Sequence, residues 1–136
     1  MKEDIVLRWI VKADNDLKAV KYMMAMEDAP LDVLSFHCQQ AVEKYLKAYL
    51  TWAGVRVTKT HDLSSIHNLC IENDTEFENL NGDKISQLTI YAVEIRYPEE
   101  YIETNPEEVK QFYGLAKEVR ELVIKRLSEK GMKDIK

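Results

Sequence analysis

Glycine and proline are scarce in this chain, and six of the seven stand where an apolar periodicity breaks. Four Gly and three Pro among 136 residues come to about 5%, against roughly 12% in an average chain. So few turn residues cannot punctuate a β-sandwich or an open α/β sheet, which leaves a few long helices. Ile5, Trp9, Ala13, Leu17, Val20 and Met24 repeat at helical spacing and predict a first helix. Pro30 suits the first turn of a second helix, which runs to about Ala53 with Gly54 as its stop. Thr60-His61-Asp62 offers capping side chains for a third helix over Leu63 to Asn73, with His61 part of the cap. Asn81-Gly82-Asp83 opens a fourth, carrying Ile85, Leu88, Ala92 and Ile95, and Pro98 ends it. Asn105-Pro106-Glu107-Glu108 opens the last: Asn caps, Pro is preset at the first helical position, and Glu108 can reach back. Its stripe is Val109, Phe112, Ala116, Val119, Val123 and Leu127, and Gly114 inside it marks either a close helix crossing or a tolerated glycine. Val55 and Val57 are too few to make a sheet. The expected fold is all-α, an antiparallel bundle of about five helices, with one domain over residues 1–136 and a frayed C-terminal tail.

Composition fits a folded domain. Hydrophobic residues at 46% and charged residues at 32% exclude a disordered tail and a membrane protein. The net charge of −5 has the wrong sign for non-specific nucleic-acid binding, so any phosphate contact needs a local patch. Met1-Lys2-Glu3-Asp4 lacks the start of a signal peptide, and Arg8, Lys12 and Asp14 interrupt the most hydrophobic stretch, so no membrane span is expected. Cys38 and Cys70 belong to no Cys-x-x-Cys motif and read as buried thiols in a reducing compartment. The expected location is cytoplasmic.

The second helix carries the most information. At 100° per residue, Leu34, Cys38, Ala41, Val42, Tyr45, Leu46, Ala48, Tyr49 and Trp52 share one apolar arc. The opposite arc holds His37, Gln39, Gln40, Glu43, Lys44, Lys47 and Thr51, with Phe36 and Leu50 among them. Those two are either scattered surface hydrophobes or the sign that this polar face packs on a neighbouring helix or a second chain. Glu43 and Lys47 form an i,i+4 pair that reads as a solvated salt bridge. Lys44 and Lys47, with Arg56 and Lys59 beyond the helix, make the one locally basic stretch, either a dispersed surface or a receiver for a phosphate or an acidic partner.

The string Phe36-His37-Cys38-Gln39-Gln40-Ala41-Val42-Glu43-Lys44-Tyr45-Leu46-Lys47-Ala48-Tyr49-Leu50 resembles the signature helix of the HEPN domain (higher eukaryotes and prokaryotes nucleotide-binding). The resemblance extends to Trp9, Ala13 and Asp16-Leu17, to Lys59-Thr60-His61-Asp62-Leu63, and to Ala92, Glu94-Ile95-Arg96-Tyr97-Pro98. It implies a helical bundle that forms a homodimer, a nucleotide or RNA ligand, and operon-level pairing with a minimal nucleotidyltransferase, often as a toxin–antitoxin pair. Gln40, Lys44, Lys47 and Arg96 are the candidate ligand or anion contacts.

Members of that family that cut RNA use an Arg-x(4–6)-His motif without metal, and Arg96 stands where that Arg is expected. The His positions hold Tyr101, Ile102 and Glu103. A phenol with a pKa of about 10 cannot act as an imidazole does at neutral pH. Tyr101 could donate a hydrogen bond and Glu103 could accept a proton if desolvated, so Arg96 and Tyr101 remain catalytic candidates of a non-standard kind. Arg96 also reads as a helix-end cation favoured by the dipole. In the family, some paired nucleotidyltransferases transfer AMP to a tyrosine near the motif, and Tyr97 and Tyr101 are the modification candidates here. His61 and His67 are six apart with no metal-ligand spacing, and His37 reads as half-buried packing. No phosphate-cradling glycine motif or Glu-x-x-His pair occurs, so no cofactor or metal is expected. The leading expectation is a degenerate, non-catalytic HEPN module that partners a nucleotidyltransferase. The alternative is a metal-independent RNA-cleaving HEPN toxin using Arg96.

Overall fold

The computed structural model describes residues 2–57, 59–94, 103–133 and 135. Six α-helices and one 3-10 turn follow in order, and no strand occurs among the described residues: α1 (Lys2–Met24), α2 (Leu31–Trp52), α3 (Leu63–Asn73), the 3-10 turn (Thr75–Asn79), α4 (Gly82–Leu88), α5 (Tyr91–Glu94) and α6 (Pro106–Glu129). None of the described helices is long and apolar enough to cross a membrane.

Local chemistry sets most of the ends. Asp62 accepts the Ser64 N–H, Asn81 accepts that of Lys84 and Asn105 accepts that of Glu108, so α3, α4 and α6 each begin on a side-chain cap. Two helices stop in the same way. Gly54, at φ 76°, and Gly131, at φ 101°, adopt the left-handed conformation that glycine takes without a Cβ penalty. The amides that follow, Val55 and Met132, then donate back to Leu50 and Leu127, closing a Schellman cap on α2 and on α6. The second cap folds Met132 into the core.

Several expectations need correction. Pro30 precedes α2 instead of lying in its first turn. His61 caps nothing; its ring reaches across to α2. Glu108 does not reach back to the cap and instead accepts from Tyr91 and Thr104. Of the two readings of Gly114, the tolerated glycine fits, since a Cβ there would face open space. The buried stripe of α1 starts at Val6 and Ile10, leaving Ile5 exposed and Trp9 half-buried.

The expected fourth helix breaks at Thr89 and Ile90 into α4 and α5. The Thr89 hydroxyl accepts the N–H of Leu63 at the start of α3, and the amides of Thr89 and Ala92 bond three residues back instead of four. A contact with another helix therefore replaces one helical turn. Ile95 and Pro98 lie outside the described residues.

α2 is the axis of the molecule. α1 packs antiparallel to it, with Lys2 over the Trp52 ring at one end and Asp16 against Lys44 and His37 towards the other. α6 runs parallel to α2: Leu34 and Val109 line one cavity, while Lys130 lies over the Tyr49 ring. The bundle is thus antiparallel in its α1–α2 and α1–α6 pairs, with α3 to α5 carrying the chain back. Among the described residues, Tyr45, Tyr49, Phe77 and Phe112 are the largest fully buried side chains of one continuous core.

Candidate functional site

The polar residues of α2 define the most structured polar region, and it lies inside the molecule. Gln39, Glu43 and Lys47 recur every four residues on one side of the helix, and all three are buried. The Glu43 carboxylate, 5% exposed, accepts from Lys47 Nζ at 2.8 Å and Gln39 Nε2 at 3.1 Å, and it meets His61 Nδ1 at 2.9 Å. Lys47, 8% exposed, also lies 5.7 Å from the Trp9 ring centre. Burial pushes the Glu43 carboxyl up, but the hydrogen bonds from Lys47, His61 and Gln39 and the Lys47 charge bring it below its ordinary value. The pair is a buried ion pair, not the solvated salt bridge read from spacing. Leu50, on the same side, is fully buried and cannot contribute to a surface patch with the half-buried Phe36.

A second group joins α1 to α2. Asp16 binds His37 Nδ1 at 2.8 Å and Lys44 Nζ at 2.7 Å through separate oxygens. Next to it, Asp14 accepts from the Tyr45 hydroxyl and from Arg120 Nε at 2.8 Å. Burial and then the Asp14 carboxylate push the Tyr45 phenol far up, so it stays a donor at every physiological pH. A third group lies at the far end of α2. There Asp74 accepts from Tyr49 at 3.1 Å and Arg126 at 2.7 Å, and its carboxyl sits below its ordinary value despite burial, through Arg126, the Glu76 N–H and Tyr49.

These groups decide what the sequence candidates can do. Lys44 and Lys47 are each held by an internal carboxylate, and Gln40 donates to Gln39 at 2.7 Å. The locally basic stretch therefore does not form a patch, since only Arg56 and Lys59 of its four cations are exposed. Arg96, Tyr97 and Tyr101 lie outside the described residues, and Glu103 is exposed, without the desolvation a carboxylate base would need. His67 Nε2 bonds the Phe77 carbonyl at 2.7 Å, and His37 is half-buried as expected. Cys38 and Cys70 are free and buried; burial first, and Asp16 second, push the Cys38 thiol up to about 12, so it is not a nucleophile. Among the described residues no group of three or more His, Cys, Asp or Glu is placed to hold a metal.

Sequence reasoning missed Asp14, Asp16 and Asp74 as anchors. Their side-chain partners stand 21 to 106 residues away, which no local spacing signals, although Asp74 also caps the 3-10 turn through the Glu76 N–H.

The described chain is thus an all-helical bundle whose central helix keeps a Gln-Glu-Lys row inside, with His61 of the turn before α3 against Glu43. The HEPN domain family model matches residues 6–127, most of the chain, and the protein belongs to that family. No curated protein and no solved structure matches it.

Proposed function

We propose that this protein is a non-catalytic HEPN module that acts as the homodimeric partner of a minimal nucleotidyltransferase. One observation carries the reading: the chain is a HEPN domain, yet Tyr101, Ile102 and Glu103 follow Arg96 where the ribonuclease motif needs a histidine. Each of the three histidines also hydrogen-bonds within the fold, which supports a structural role for all of them. With Lys44 and Lys47 held by carboxylates, the anion contact narrows to Arg96. Tyr97 and Tyr101 follow Arg96 in the sequence, and either phenol is the proposed acceptor of a nucleotide from the partner. A phosphate placed there would make a charge-assisted contact with Arg96.

The test combines assembly with modification. Sedimentation of the chain alone should give twice its 15.9 kDa mass, and adding the nucleotidyltransferase encoded beside it should give a larger complex. With ATP present, mass spectrometry should find one nucleotide on Tyr97 or Tyr101. A monomer that forms no complex and takes no adduct, beside an enzyme active on another substrate, overturns the reading.

A further inference from the structure

A groove of about 320 Å³ opens between α1 and α6. Its α1 wall is Lys18, Lys21 and Tyr22, and its α6 wall is Tyr113, Lys117 and Arg120. Asp14 is the one lining carboxylate, and it is already bound to the Tyr45 hydroxyl and to Arg120. Arg120 offsets that charge and is fixed by it. Lys18, Lys21 and Lys117 have no carboxylate partner among the described residues, in contrast to Lys44, Lys47 and Arg126. Lys117 instead lies 5.5 Å from the Tyr113 ring centre. On a chain of net charge −5, three uncompensated ammonium groups thus converge on one concavity.

The aromatic residues narrow the choice of ligand. Tyr22 is 68% exposed, the most exposed large apolar side chain among the described residues, and it stands beside the lysines. A chain of carboxylates would satisfy the lysines but give that ring nothing to cover it. A strand that carries phosphates and flat bases satisfies both, because bases stack on aromatic faces while ammonium groups neutralise the backbone. We propose that the α1–α6 groove is a binding site for single-stranded nucleic acid, with Lys18, Lys21 and Lys117 on its phosphates and a base on Tyr22. This site uses neither Arg96 nor a nucleotidyltransferase, so it stands or falls apart from the function proposed above.

The probe is a fluorescently labelled single-stranded oligouridylate, at the short end of the usual site sizes of about 4–16 nucleotides, read by anisotropy with the full chain. Three phosphate contacts on a single strand predict a log–log salt slope of about −2, or a loss of about twentyfold between 50 and 200 mM salt. Lys18→Glu with Lys117→Glu should weaken binding at least tenfold, and Tyr22→Ala should weaken it by about tenfold. All three side chains are at the surface, and an unchanged thermal midpoint will show that the variants remain folded. Polyglutamate of similar length should compete poorly. Equal competition by polyglutamate with Tyr22→Ala unchanged would identify an acidic protein surface as the ligand and overturn the proposal. Binding unmoved by the charge reversal, or no binding at 50 mM salt, would overturn it as well.

Discussion

α1 and α2 are almost equal in length, 23 and 22 residues, and pack side by side, yet they meet water in opposite ways. α1 buries one stripe and leaves Leu7 and Val11 exposed, the latter at 56%. α2 buries nearly everything from Ala41 to Leu50, including a glutamate and a lysine. Their sequences do not predict this ordering, since α2 carries a full polar arc. Position in the bundle decides it: α1 has neighbours on one side, while α2 has α1, α3, α5 and α6 around it. Gln39, Glu43 and Lys47 lie in the centre with hydrogen bonds that close internally and with His61 from the margin completing the set. The Ser35 hydroxyl, in contrast, is buried on the same helix without a partner among the described residues.

The largest effect should come from opening that closed set. Glu43→Ala leaves the Lys47 ammonium buried without its carboxylate and should cost about 3–5 kcal/mol in urea unfolding. Replacing both, Glu43→Leu with Lys47→Met, should recover most of that loss. Equal costs for the single and double variants would mean that the pairing is not what the site requires. Leu50→Ala, on the same side of α2, should cost about 2–5 kcal/mol as a core cavity. A loss under 1 kcal/mol would return Leu50 to the surface.

Acid should act on the same interior. The folded pKa values of Glu43 and Asp74 lie below their unfolded ones, so both carboxylates bind fewer protons in the folded state. Their contribution is complete above the ordinary carboxylate range and is lost as pH falls through the lowered folded values. Stability measured from pH 6 downward should therefore fall below about pH 4, and less steeply in Glu43→Gln. Smaller still, Asp62→Ala removes the α3 cap and should cost about 1 kcal/mol by thermal melting. Val11→Ala on the open face of α1 should stay within about 0.5 kcal/mol.

Helix ends were legible wherever the backbone chemistry is local. Gly54 stops α2, Asp62, Asn81 and Asn105 cap as their positions suggest, and Pro106 takes the first turn of α6. The Thr89 break was not, because it depends on an amide 26 residues earlier and on no glycine or proline. Nor was the dryness of Glu43 and Lys47. Helical spacing shows that they face one way, but only the return of the chain after Gly54 brings His61 onto them. The shift of the α1 stripe from Ile5 to Val6 has a similar origin, since Trp9 sits at the margin of the core with Lys47 against its ring. The groove between α1 and α6 joins Lys18 to Lys117 across most of the chain, and no sequence window contains both. The family string on α2 was legible in full, because it lies within one helix.

The sharpest prediction of the proposed function is catalytic silence, drawn from the residues that follow Arg96. The purified chain, incubated with single-stranded RNA and with tRNA without added metal, tests it directly. Intact RNA, in wild type and in Arg96→Ala alike, is the predicted result. Cleavage by the wild type that Arg96→Ala abolishes would contradict it and make this chain an RNA-cutting member of its family.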